Sequence, residues 1–138
     1  MSPFLFAKAI VSGEPLKVFN NGDMIRDFTY IDDIAEGTLR ILAQPPAAAT
    51  CPNGVPYRIF NVGCSHPVRL MDFIAELEKA LGKTAVKEFV PMQEGDVYQT
   101  YADTRRLEAA TGFRPKTELH EGISRFVAWY QSPENPLR

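Results

Sequence analysis

A chain of 138 residues has room for one ordinary domain with a real core, since a domain of that size buries roughly two-thirds of the surface its unfolded chain exposes. Its 45% hydrophobic and 23% charged residues sit at the globular average and argue against disorder or a fibrous class. With 15 basic against 17 acidic residues the formal charge is -2, which offers no electrostatic footprint for nucleic acid or an anionic membrane, and no apolar run approaches the roughly 18 residues of a membrane span.

The first residues lack the basic, apolar and small-residue order of a secretory signal, so the cytoplasm is the expected compartment. Cys51 and Cys64 have no CxxC spacing and no nearby His pair, which argues against a metal site and for two reduced thiols. Ser2 as N-cap, Pro3 at the first helical position and Gly13 past the end predict a short helix. Phe4, Phe6, Ile10 and Val11 leave it little polar face. Such a helix needs a neighbour, and the chain is expected to begin in the middle of something.

Leu16 to Phe19 alternates as a strand, and Asn20-Asn21-Gly22-Asp23 is turn chemistry, because Asn and Gly accept positive φ. The chain is expected to reverse there and return as Ile25 to Tyr30, a hairpin carrying Arg26 opposite Lys17 and Phe19. Asp33 and Glu36 have capping-box spacing, and Ile34, Thr38, Ile41 and Leu42 repeat at helical period to about Ala43 or Gln44. A loop follows from Pro45 to Gly54. Pro56 to Gly63 reads as a buried strand; its Asn61 and Gly63 suit either a tip facing a ligand crevice or an ordinary exit into a turn.

Leu70, Ile74, Leu77 and Leu81 share one helix face, with Gly82 as the stop. Val86 to Val90 is a strand candidate, Pro91 to Asp96 a polar loop, and Val97 to Ala102 extends again. Asp103 is expected to cap a short helix ending at Gly112, and Thr117 a last helix with Leu119, Ile123, Phe126, Val127 and Tyr130 in its apolar stripe. The whole predicts a mixed α+β chain of the α/β class, with a small mixed sheet and about five helices. No repeat and no low-complexity segment divides it.

The inventory for bond breaking is thin. His66 and His120 read as solvated, and there is no GxSxG elbow, phosphate-binding loop or glycine-rich dinucleotide turn. Binding chemistry is better represented. Arg26 presents a planar fork suited to phosphate oxygens, or pairs with Asp23 and Asp27 on the surface. Asp96 can accept hydrogen bonds from a vicinal diol, or satisfy its own turn.

Several separated segments agree with one family. L-K-V-F at 16 to 19, R-D-F-T-Y-I-D-D-I at 26 to 34, F-N-V-G at 60 to 63, P-M-Q-E-G-D-V at 91 to 97, Y-A-D-T at 101 to 104 and a closing G-F-x-P-x-T-x-L-x-E-G-I-x-x-F-x-x-W-Y come in the same order and spacing. Together they resemble the C-terminal half of NAD-dependent sugar-nucleotide epimerases and dehydratases of the extended short-chain dehydrogenase/reductase superfamily. M-Q-E-G-D-V, in place of R-x-G-D, is most similar to UDP-glucuronate 4-epimerases.

That resemblance implies a substrate-binding portion for a UDP-sugar. Lys17 to Phe19 would lie against the uracil through the backbone, Arg26 would grip the diphosphate and Asp96 the ribose hydroxyls. Gln93 stands where many relatives have a second phosphate-binding arginine, and F-N-V-G would be a strand of the Rossmann sheet. The glycine-rich NAD turn and the Tyr-x-x-x-Lys catalytic pair of the family would lie upstream of residues 1–138, so the resemblance assigns no catalytic, NAD-binding or metal residue here. It implies a fragment that is inert alone and needs NAD only in the full-length enzyme. A half-enzyme would keep uncovered faces at Phe4 to Val11 and Tyr57 to Val62, which predicts a homo-oligomer, with swapping as one route. The same half of a 4,6-dehydratase, decarboxylase or reductase, and a non-catalytic interaction module, are the alternatives.

Overall fold

The computed structural model describes residues 2–48 and 52–136, which divide into two packing units interleaved along the chain. The first comprises the residues up to Arg26, Val68–Thr100 and those from Glu118 onward; the second comprises Asp27–Pro67 and Tyr101–Thr117. Cys51 lies outside the described residues.

The first unit is built on three helices, α1 (Ser2–Ser12), α3 (Leu70–Leu81) and α5 (Leu119–Gln131). Helix α3 begins and ends where its spacing predicts, with Gly82 in the left-handed conformation at φ 64°. Its Leu70, Phe73, Ile74, Leu77 and Leu81 are buried, against Ala7 and Ile10 of α1 and Ile123 and Val127 of α5. Phe4 meets Tyr130 edge-on at 5.2 Å and Phe6 meets Phe73 at 6.2 Å. The expectation of an uncovered α1 is thereby corrected. Its apolar faces are covered from within the chain, and Leu5 and Val11 are the large residues left exposed. Thr117 does not cap α5 either, because Glu118 occupies the N-cap position.

The strands of this unit form two two-stranded sheets. β1 (Pro15–Val18) pairs in parallel with β4 (Val86–Phe89), and β2 (Ile25–Arg26) pairs antiparallel with β3 (Val68–Arg69). No hairpin joins β1 to β2. Asn20, Asn21 and Gly22 do take positive φ (49°, 52° and 83°), but three such residues in a row coil the chain into a tight 3-10 turn over Phe19–Gly22. A two-residue reversal needs only two. Phe19 thus sits in the turn rather than on a strand. Glu78 ties α3 to β4, accepting the Ala85 amide at 2.7 Å and pairing with Lys87. Burial alone would raise its carboxyl, but Lys87 and the Ala85 amide outweigh that and hold it below its ordinary value.

The second unit holds α2 (Ile31–Leu42) and α4 (Arg105–Thr111). Asp33 is buried in the first turn of α2, where its Oδ2 accepts the Lys116 and Thr117 amides at 3.3 and 2.9 Å. The capping-box expectation is therefore corrected: Tyr30 holds the N-cap position, and no side-chain bond caps the helix there. Asp103 keeps part of its expected role, because its Oδ1 accepts the Arg105 amide at 3.1 Å from just outside α4. The Arg105 guanidinium on both its oxygens holds that carboxyl down at about 2.

Residues 55–62 form no strand among the described residues, which corrects the reading of 56–63 as a buried one. Val55, Tyr57 and Ile59 are 56%, 52% and 71% exposed. A strand is defined by a neighbour that takes its amides and carbonyls, and the four strands among the described residues all lie in the other unit.

Candidate functional site

Arg26 ends β2 and points its guanidinium along the loop that follows β4. Its Nη1 donates to the carbonyls of Ile25 and Tyr98 at 2.9 and 3.0 Å, and its Nη2 to Asp96 Oδ1 at 2.9 Å. Asp96, not Asp23 or Asp27, is thus its ion-pair partner. The same Asp96 oxygen accepts the Val97 amide at 2.8 Å, so Asp96 also serves its own turn. Of the two sequence readings of that aspartate, the turn reading is the one these bonds bear out. The arginine is held by these three groups and by the Met24 sulfur, 3.8 Å from Nη2, and is half-buried, while the residues from Pro91 to Gln99 are exposed. An anion arriving at a guanidinium fixed in this way takes over or shares bonds already made, without the side chain having to be ordered first.

Gln93 lies in the same loop with its side chain exposed, and its carbonyl accepts the Asp96 amide at 3.2 Å. Lys17 is exposed on β1, opposite Glu88 of β4, and Phe19 is half-buried in the turn beyond. The structure brings Arg26 and Asp96 together and places Gln93 one turn away. It records no bond from the Lys17 or Phe19 side chain to them.

Asp27 was missed by the sequence reading except as a surface partner. Its Oδ2 accepts the Ser65 and Ala102 amides at 3.1 and 2.9 Å, and its Oδ1 the His66 amide at 3.3 Å. Thr29 Oγ1 takes the Cys64 amide at 3.1 Å, and Ser65 Oγ bonds the Ala102 carbonyl and Thr104. The signal was available: Asp27 and Thr29 are two apart in an extended run, so they share a side, with Arg26 facing the other way. Asp27, Thr29 and Ser65 together fasten the F-N-V-G end to Tyr101–Thr104.

Sequence order, the arginine–aspartate pair and the fastened F-N-V-G end all fall within segments that a comparison can test. Residues 3–63 match the NAD dependent epimerase/dehydratase family. Over 94% of its length the chain is 42% identical to a probable UDP-glucuronate 4-epimerase of Rhizobium meliloti (strain 1021), of which it spans 41%. It is 38% identical over 98% of its length to a UDP-glucuronate 4-epimerase of Thermodesulfobacterium geofontis, and spans 38% of that protein. Among solved structures, it is similar to the UDP-glucuronic acid 4-epimerase from Bacillus cereus in complex with UDP-glucuronic acid and NAD. That match has a TM-score of 0.75 and 30% identity, and covers 89% of this chain and 37% of that one. The chain thus spans about two-fifths of the length of the epimerases it matches.

Proposed function

We propose that this chain is the sugar-nucleotide-binding region of a longer NAD-dependent epimerase that acts on UDP-glucuronate. The observation that carries the reading is Arg26, fixed by Asp96 and two carbonyls beside an exposed loop. In this reading Arg26 holds the diphosphate and Asp96 the ribose hydroxyls. The backbone from Lys17 to Phe19 faces the uracil, and Gln93 supplies a neutral contact in place of a second arginine. Asp96 keeps Arg26 oriented until the anion arrives, and the anion then shares its charge-assisted bonds.

NAD supplies the hydride exchange in such an enzyme, and the residues present do not fit it. A dinucleotide site needs a strand running through glycines into a helix N-terminus. Among the described residues β3 runs straight into α3 at Val68-Arg69-Leu70, with no glycine between them. No Tyr-x-x-x-Lys pair occurs anywhere in the sequence. The chain alone is accordingly proposed to be inert, with hydride and proton transfer belonging to the rest of the enzyme.

Calorimetric titration with UDP-glucuronate should show binding, and Arg26→Ala should weaken it by about 1.5 to 3 kcal/mol, the scale of a lost charge-assisted hydrogen bond. Equal affinity would reduce Arg26 to a partner of Asp96. The same half of a 4,6-dehydratase remains the second reading, to which dTDP-glucose binding tighter than that of UDP-glucuronate would point. We also place the chain in the cytoplasm as a homo-oligomer, joined at the exposed Val55, Tyr57 and Ile59. Sedimentation as a monomer at high concentration would remove the second of these.

A further inference from the structure

The loop after β4 has both ends pinned to the same short segment. At one end the Asn21 amide donates to the Val90 carbonyl at 3.1 Å; at the other the Ile25 amide donates to the Tyr98 carbonyl at 3.0 Å. Every residue from Pro91 to Gln99 is exposed, so burial does not shape the loop and hydrogen bonds must. Within it Gly95, at φ 80°, permits the turn in which the Asp96 amide reaches the Gln93 carbonyl, and that turn delivers the Asp96 carboxylate to Arg26.

Tyr98 makes three of the connections by itself. Its carbonyl accepts the Ile25 amide and Arg26 Nη1, and its hydroxyl donates to Asp23 Oδ1 at 3.1 Å. Asp23 is an anchor for that hydroxyl because its own backbone is tied to Asn20, amide to carbonyl at 2.9 Å and carbonyl to Nδ2 at 2.6 Å. Tyr98 as a residue is 47% exposed, so packing contributes little to its placement. The hydrogen bond to the Asp23 carboxylate and its charge raise the phenol above its usual range.

We infer that Tyr98 is a positioning residue for the anion-binding arginine. By tying its hydroxyl to Asp23 it fixes its own carbonyl and the neighbouring Asp96 carboxylate against the Arg26 guanidinium. This rests on the reading of Arg26 as a diphosphate ligand. Without the tie the loop samples other arrangements, and Arg26 loses anchors for both of its terminal nitrogens. Each binding event must then order a side chain rich in rotamers, and affinity falls.

The test compares Tyr98→Phe, Asp23→Asn and Arg26→Ala in the full chain, by amide hydrogen exchange without ligand and by calorimetric titration with UDP. Tyr98→Phe keeps the ring and removes the hydroxyl. It should speed exchange of the Ile25 and Val97 amides and weaken UDP binding, each by about threefold to tenfold, the range of one modest hydrogen bond. Asp23→Asn keeps an acceptor oxygen but loses the charge, and should move both measurements in the same direction as Tyr98→Phe by a smaller factor. Unchanged exchange in Tyr98→Phe overturns the positioning role, and so does faster exchange with unchanged UDP affinity. If UDP fails to bind, or binds Arg26→Ala equally well, the ligand reading of Arg26 falls instead. The exchange comparison then decides by itself whether the hydroxyl holds the loop.

Discussion

Leu77→Ala should lower the stability of the protein by about 3 to 5 kcal/mol, the upper part of the range for a leucine cut back inside a core. Leu77 is 0% exposed, and Ile74, one turn earlier on α3, is 0% exposed as well. The loss includes the transfer energy of the missing carbons and the cavity they leave, and the second part depends on how far the surroundings can collapse. Here they have little freedom. The helices on either side of α3 are fixed by ring contacts, Phe6 against Phe73 and Phe4 against Tyr130. Urea titration followed by the fluorescence of Trp129, the single tryptophan of the chain, provides the measurement. Leu77→Met, which keeps the volume, should cost less than about 1.5 kcal/mol. A loss below about 1 kcal/mol for Leu77→Ala would mean that α3 is not the centre of its unit.

What the sequence revealed and what it hid divide along one physical line. Helix α3 was legible to the residue because everything that defines it is local: four apolar residues at helical spacing and a glycine that accepts φ 64°. β1, β2 and β4 fall within stretches legible as strands, but β3 does not, and none of the partners was legible. β1 pairs with β4, far along the chain, through Val18 and Phe89 at one end and Pro15 and Val86 at the other. No short-range pattern encodes that register. The expected hairpin failed for this reason, although the positive φ values it required are all present. Residues 55–62 show the reverse case. Their apolar character predicts a strand, yet a strand exists only with a partner, and the described residues of their unit contain none.

Side-chain chemistry followed the same division. Asp33, Thr117 and Asp103 were all read as caps, since a carboxylate or hydroxyl near a helix start most often serves the nearest amides. Asp103 does so, but Asp33 instead reaches the Lys116 and Thr117 amides from another part of the chain. Arg26 was legible as a fork looking for an anion. Its neighbours in sequence, Asp23 and Asp27, were the natural partners, yet the structure supplies Asp96, 70 residues on. Those two neighbours have other work: Asp23 receives the Tyr98 hydroxyl, and Asp27 receives three amides. A residue's type limits what it can bond, while the choice among candidates is made by contacts that no local window contains.

Gly63→Ala should cost about 3 kcal/mol or more, although Gly63 does not have a positive φ. Its reason for being glycine is space. A methyl there would lie 2.4 Å from the Ala102 Cβ and 3.4 Å from Asp27 Oδ2. The Ala102 Cβ is the base of a side chain and cannot rotate aside, so one of the two backbones has to move. Both are pinned: the Ala102 and Ser65 amides donate to the same Asp27 oxygen, and the Cys64 amide donates to Thr29. Relief of the clash therefore strips a half-buried carboxylate of its donors, which adds the cost of unmade hydrogen bonds to that of overpacking. Gly82→Ala separates this cause from backbone strain. Gly82 has φ 64° and nothing within 4 Å of an added Cβ, so it should lose only about 1 kcal/mol. Adding Ala102→Gly to Gly63→Ala removes the obstructing methyl and should restore most of the loss, as measured by urea titration. If Gly63→Ala alone stays within about 1 kcal/mol of the parent protein, the close approach of the F-N-V-G end to Ala102 is wrong, and with it the packing that holds Asp27 on its three amides.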